Sequence, residues 1–71
     1  MNHSSWTAII SQDDGWWIGW IAEVPGVNAQ ERTREELLES LSEVLREALE
    51  MNRHDAFAHA HGHFEEVAVP L

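Results

Sequence analysis

Three histidines near the end of the 71-residue chain have a spacing that metal ligands can have. His59, His61 and His63 alternate, so in an extended segment their imidazoles would point to one side and reach one zinc or nickel ion. Structural zinc sites prefer four ligands that include thiolates, and this chain contains no cysteine. The alternative is a solvated histidine-rich linker over residues 52–62. We therefore expect no metal or cofactor site and keep these histidines only as candidate ligands.

Acidic side chains near predicted turns and strand ends form a second group that could do chemistry. Hydrolysis of a phosphodiester by two metal ions needs several carboxylates converging on ions about 4 Å apart. The candidates are Asp13, Asp14, Glu23 and Glu31. Aspartates in turns usually shape the turn, and glutamates at strand ends are usually solvated. We therefore predict that the chain is not an enzyme, with a metal-binding, degenerate nuclease domain as the alternative.

Three strands, a helix and a last strand are the elements that would position these groups. Aromatic and β-branched residues on both sides of the turn Asp13–Gly15 predict a hairpin with strands at about 6–12 and 16–23. A Pro-Gly turn then precedes a short third strand at about 27–31. A weakly alternating segment predicts the last strand at about 64–69.

A helix over about residues 34–51 is predicted by one stripe of apolar residues with a period of about 3.6. Thr33 followed by Glu36 is typical of a capping box at its start. One helix on one face of a small antiparallel sheet is an α+β fold with the order β-β-β-α-β, and residues 1–71 form a single domain. The stripe consists of Leu37, Leu38, Leu41, Val44, Leu45, Ala48 and Leu49.

The tryptophans Trp16, Trp17 and Trp20 fall within five positions and have three possible uses. They could form a core, a protein interface, or a platform on which nucleic-acid bases stack. Stacking on bases needs a cationic groove beside the rings, and the chain offers only four arginines and no lysine. A core and a protein interface are therefore the two uses we expect.

The register of the hairpin decides which tryptophans are buried, because residues two apart in a strand share a face. With a loop at Asp13–Gly15, Gln12 opposes Trp16, and the even-numbered residues of both strands face the helix. A bulge at Gly15 would shift this register by one residue. One helix covers only one face, and a domain this small gains stability from self-association. We therefore predict a homo-oligomer whose interface on the uncovered face consists of Ile9, Trp17 and Ile21.

The net charge of −9 indicates which partners suit the chain. Nucleic-acid binding draws its affinity from cations placed against phosphates, so we expect no direct nucleic-acid binding. An acidic surface attracts a basic protein, whereas it repels nucleic acid. No apolar stretch resembles a signal peptide or a membrane span, so we expect a cytoplasmic protein without membrane association. The predicted partner-binding surface is the outer helix face with Glu36, Glu39, Glu43 and Glu47.

Three segments follow one another over residues 6–50: WTAII, then DGWWIGWIAEVPGVNAQ, then RTREELLESLSEVLREALE. An aromatic first strand, a D-G-aromatic hairpin, a Pro-Gly turn and a T-x-E-E helix start resemble the HicB-like antitoxin family. The resemblance implies a partial ribonuclease H-like fold that neutralises a small basic HicA-type toxin, which cleaves mRNA. Many members add a DNA-binding domain, and we expect none within residues 1–71. The alternative is a solitary structural or regulatory homo-oligomer of the same fold.

We expect this chain by itself to bind neither DNA nor RNA usefully, because its charge of −9 opposes contact with phosphates. Fluorescence anisotropy of a labelled generic duplex, titrated with micromolar protein at ~150 mM salt, should show no saturation. Salt-sensitive binding in the micromolar range would contradict this charge argument.

Overall fold

The computed structural model describes residues 5–70 and places four elements along them. Strands β1 (Ala8–Asp13), β2 (Trp16–Ile21) and β3 (Asn28–Glu31) precede one helix, α1 (Arg34–Ala58). The strands form one antiparallel sheet in the order β1-β2-β3, and α1 packs against β2 and β3. The α+β class is therefore confirmed, and so are the first four elements of the expected order β-β-β-α-β.

The turn between β1 and β2 has two residues. Asp14 (φ 50°) and Gly15 (φ 81°) both adopt left-handed backbone. Two such residues are typical of a type I′ turn, where glycine meets no steric penalty and aspartate tolerates the conformation. Asp13 therefore pairs with Trp16 across the hairpin. The expected three-residue loop, with Gln12 opposite Trp16, is wrong by one residue.

This difference of one residue exchanges the two faces of β2, because side chains alternate along a strand. Trp17 and Ile21 lie on the face that α1 covers, where Ile21 is only 5% exposed and Trp17 packs against the core. The prediction that Trp17 and Ile21 belong to an uncovered interface is therefore wrong, whereas Ile9 does lie on the uncovered side. We call this side the uncovered sheet face; its apolar residues are Ile9, Trp16, Ile18 and Trp20.

The core lies between the covered face of the sheet and α1. Leu37, Leu41 and Leu45 are buried along one line of the helix, since residues four apart lie one above the other. Ile21 and Val27 are the buried side chains that meet them from the sheet side. The predicted leucine stripe therefore does face the sheet. Ala8 and Ile10 of β1 pack against the core as expected, whereas the β2 residues beneath the helix differ from those expected.

Gly19 is a position where the sheet and the helix approach each other closely. A Cβ atom at Gly19 would lie 2.9 Å from both Ile10 Cγ2 and the Ile9 carbonyl oxygen. It would also lie 3.3 Å from Leu37 Cδ2 on the helix. Only a residue without a side chain lets β1, β2 and α1 meet at this distance.

Helix α1 begins as expected and ends later than expected. Thr33 is the N-cap, and its hydroxyl accepts a hydrogen bond of 3.1 Å from the Glu36 backbone N–H. The helix continues to Ala58 instead of ending near residue 51. No proline or glycine occurs between the helix start and Gly62, so nothing in residues 52–58 stops the helix. Seven of the eleven residues in the expected linker at 52–62 are therefore helical.

The helix reaches beyond the sheet, and the chain is elongated. Twenty-five residues of helix span about 37 Å, whereas six residues of strand span about 20 Å. The radius of gyration is 15.5 Å, against about 11 Å for a compact domain of this length. Residues 50–58 of the helix are accordingly exposed.

The expected last strand at residues 64–69 is wrong, since residues 64–70 have no regular secondary structure. This segment lies against the far end of α1 instead of joining the sheet. The Arg53 guanidinium contacts the Glu66 carboxylate at 2.6 Å, and the rings of Phe57 and Phe64 lie 5.9 Å apart. The physical reason is the long helix, which carries the following residues away from both edges of the sheet.

We expect Gly19→Ala to lower the free energy of unfolding by about 1–3 kcal/mol, the usual cost of overpacking a core. The added methyl group would meet the Ile9 carbonyl, which cannot move without disturbing β1. Urea unfolding followed by circular dichroism measures the change. Ser11→Ala, on an exposed strand position, is the control and should stay within about 0.5 kcal/mol of the unmodified chain. Equal stability of the two variants would contradict the tight approach.

Candidate protein-binding surfaces

The outer side of α1 carries a line of exposed glutamates, the acidic helix face, formed by Glu36, Glu39, Glu43 and Glu47. Their spacings of three and four residues place them on one side of the helix. The buried leucines occupy the opposite side, so the acidic helix face turns towards solvent. All four residues predicted for partner binding are therefore accessible to another protein.

Glu31 at the end of β3 joins this surface. An open groove of about 230 Å³ between β3 and α1 is lined by Glu31, Ser40 and three helix glutamates. The Ser40 hydroxyl donates a hydrogen bond of 2.7 Å to Glu31 Oε2, which ties the strand end to the helix. We call this site the acidic groove; it consists of Glu31, Glu36, Glu39, Ser40 and Glu43.

The composition of the acidic groove was only partly visible in the sequence. Glu36, Glu39 and Glu43 follow from the helical spacing, and Glu47 lies outside the groove on the same helix face. Glu31 stood out only as a carboxylate at a strand end, and Ser40 was missed. The signal that could have pointed to Ser40 is a hydroxyl within a row of helix glutamates, because a serine inside a helix often forms a hydrogen bond with a nearby polar group.

The charge of the acidic groove is not neutralised from within the described part of the chain. Among residues 5–70, no arginine lies within ion-pair distance of Glu31, Glu36, Glu39 or Glu43. Arg53 forms its ion pair with Glu66, near the other end of the molecule. Four carboxylates in one open groove favour ammonium and guanidinium groups, which pair with carboxylates through charge-assisted hydrogen bonds.

The carboxylates considered for two-metal hydrolysis do not converge. Asp13 and Asp14 lie at the hairpin turn, and Glu31, which pairs with Trp17, lies near the same end of the sheet. Glu23 lies beyond the other end of β2, where it accepts a hydrogen bond of 2.9 Å from the Thr7 backbone N–H. Within residues 5–70, no three acidic or histidine side chains are placed to hold a metal ion.

The three candidate histidines do not form the row that an extended segment would give. His59 directly follows α1, and its ring Nδ1 lies 2.7 Å from the Asp55 carbonyl oxygen. The chain then bends at Gly62, which has a φ of 67°. His61 and His63 lie on either side of that bend and are exposed. The structure therefore does not bring these imidazoles together.

The uncovered sheet face is the second surface available to a partner. Trp20 is 47% exposed and its cross-strand neighbour Ile9 is 42% exposed. Trp16 and Ile18 are half-buried on the same face. The Arg32 guanidinium stacks on Trp16 at 3.6 Å from the ring centroid, which is a cation–π contact. The exposed indole of Trp20 is typical of a protein interface.

No protein-family model matches the chain, and neither a curated protein nor a solved structure matches it significantly. The resemblance to HicB-like antitoxins thus depends on the sequence segments quoted above. Among residues 5–70, the structure contains no helix that is both long and apolar enough to span a membrane.

We expect the combined change of His59, His61 and His63 to glutamine to alter the free energy of unfolding by less than about 0.5 kcal/mol, as is usual for exposed positions. Glutamine can still donate a hydrogen bond to the Asp55 carbonyl, so the helix end keeps its side-chain contact. Thermal unfolding with and without added zinc measures the effect. A zinc-dependent rise in melting temperature that the triple variant abolishes would establish a metal site instead.

Proposed function

We propose that this chain is an antitoxin-type protein-binding module that neutralises a small basic toxin of the HicA type. The observation that carries the proposal is the acidic groove, which adds Glu31 from the sheet to the glutamates of the acidic helix face. The resemblance of residues 6–50 to HicB-like antitoxins supports the identity of the partner class. In this role the protein contributes binding and no chemistry of its own.

Electrostatics supports a cationic protein as the partner. A net charge of −9 attracts a basic protein over long distances and raises the association rate. At contact, arginine side chains of the partner can each meet a carboxylate with two parallel hydrogen bonds. The open shape of the groove suits side chains that enter from another protein surface. Toxins that cleave mRNA act where mRNA is translated, so a cytoplasmic location belongs to this proposal.

Self-association is the second candidate function, since a homo-oligomer would bury the exposed residues Trp20 and Ile9. A metal-dependent nuclease is the third and has the least support, because Glu23 lies at the opposite end of the sheet from the other candidate carboxylates. The first two candidates use different surfaces and do not exclude each other.

We expect the double change Glu39→Lys and Glu43→Lys to slow association with a basic toxin about tenfold or more at low salt, because complementary charge mainly sets the association rate. The effect should fade with salt, as the Debye length falls from ~30 Å at 0.01 M to ~8 Å at 0.15 M. Stopped-flow mixing with a purified HicA-type toxin measures the rate. The helix should persist, because lysine is a good helix former and both positions face solvent.

The matched control is Asp55→Lys with Glu65→Lys, which changes the net charge equally but lies outside the acidic groove. This control should slow association much less than the groove variant. Equal slowing by both variants would show that only the net charge matters. An unchanged association rate in the groove variant would show that the toxin binds another surface, and it would contradict the proposal.

A further inference from the structure

The uncovered sheet face combines exposed apolar groups with almost no charge. Trp20 and Ile9 are among the exposed large apolar residues of the described chain. Their neighbours on this face are Ser11, Ile18, Asn28 and Gln30, which are all uncharged. Asp13 and the stacked Arg32 are the charged side chains at its hairpin end, and they carry opposite signs.

This neutrality sets the face apart in a chain with thirteen acidic and four basic residues. Seven of the acidic residues belong to α1, which lies on the other side of the sheet. A basic partner gains little from a neutral surface, whereas a second copy of this acidic chain can approach there without facing its own glutamates. The distribution of charge therefore favours a copy of the same chain as the occupant.

We infer that two copies of this chain pack through their uncovered sheet faces, with both helices outside. The inference deepens the self-association named under the proposed function. A two-fold axis that lies between the two sheets and crosses the strands at Ile18, the middle of the face, would place the Ile9–Trp20 end of one copy against the Trp16–Arg32 end of the other. Such an arrangement is a β-sandwich whose sheets pack about 10 Å apart.

The small size of the face predicts a weak dimer. Three strands of up to six residues offer a footprint of roughly 14 by 20 Å. A standard interface buries about 800 Å² on each partner, more than this footprint supplies. The dissociation constant should therefore lie in the micromolar range or above, so that dimerisation depends on protein concentration.

The dimer would leave both acidic grooves accessible, on opposite outer sides of the assembly. Each groove lies between α1 and the covered side of β3, away from the proposed interface. Two toxin molecules could then bind one dimer without competing with its formation. The two associations also respond to salt in opposite directions. Salt weakens binding of a cationic partner, whereas it screens the repulsion between two chains of charge −9 and strengthens the dimer.

Sedimentation equilibrium of the full chain at ~10–300 µM, in low and in high salt, tests the inference. The variants are Trp20→Thr, which keeps a good strand former, and Trp20→Glu, which adds a charge to the face. We expect a monomer–dimer equilibrium whose dissociation constant falls at least threefold between ~0.01 and ~0.3 M salt. Both variants should raise that constant tenfold or more while the helical circular dichroism signal stays unchanged.

Val67→Thr and Val67→Glu are the matched controls, because Val67 is 68% exposed but lies on the segment after the helix. These controls should dimerise like the unmodified chain. A monomer at every concentration and salt would overturn the inference, as would dimers that survive Trp20→Thr. If they survive, the variant Gln12→Pro tests whether the copies pair along the outer edge of β1. Gln12 opposes Trp17 and is one residue from the hydrogen-bonded pair Asp13–Trp16. Its backbone N–H and carbonyl groups therefore point away from β2, and proline would remove the outward N–H.

The same variants separate this inference from the proposed function. Trp20→Thr should leave toxin binding intact, because Trp20 lies on the other side of the sheet from the acidic groove. The double lysine variant at Glu39 and Glu43 should lose fast toxin association yet still dimerise. If the unmodified chain shows only one of the two associations, the proposal that requires the missing association is wrong.

Discussion

The two left-handed residues at the hairpin turn are the constraint on which the rest of the structure depends. Asp14 and Gly15 fix a two-residue connection and set Asp13 opposite Trp16. Every later pairing in the hairpin follows from that first pair, because the register of a strand cannot slip locally without exchanging its faces. The turn therefore decides that Ala8 and Ile10 of β1 share the covered face with Ile21, whereas Ile9 shares the uncovered face with Trp20. A turn longer by one residue would combine the opposite sets of β1 and β2 residues on each face.

The close contact at Gly19 follows from the same register and allows one helix to complete a small core. The face of β2 beneath α1 presents Trp17, Gly19 and Ile21, and the missing side chain in the middle admits Leu37. Repulsion between glutamates four residues apart opposes helix formation. The buried leucines offset this repulsion, since tertiary packing supplies most of the stability of such a helix. The helix thus uses one side to close the core and the other to carry charge.

The result is a molecule whose two candidate binding surfaces differ in chemistry and lie on opposite sides of one sheet. The acidic groove combines strand and helix carboxylates, tied by the Ser40–Glu31 hydrogen bond. The uncovered sheet face is apolar and close to neutral, with Trp20 as its most exposed indole. Because one helix can cover only one face of a one-layer sheet, the second face stays open to solvent in this architecture. Under the two proposals made above, charge would direct a basic partner to one side, and apolar area would favour self-association on the other.

The sequence by itself determined the local elements: the hairpin, the helix start at Thr33 and the helix side that carries the leucines. These features depend on periodicity and capping within a few residues, so the printed sequence contains their cause. It also determined the acidic helix face, because helical spacing alone places Glu36, Glu39 and Glu43 together. Only the tertiary structure decided which tryptophan packs against the core, that Glu31 joins the helix glutamates, and that residues 64–70 stay outside the sheet. Each of these depends on how distant segments meet, and a turn of two residues or three, equally compatible with Asp-Asp-Gly, sends the same side chains to opposite sides.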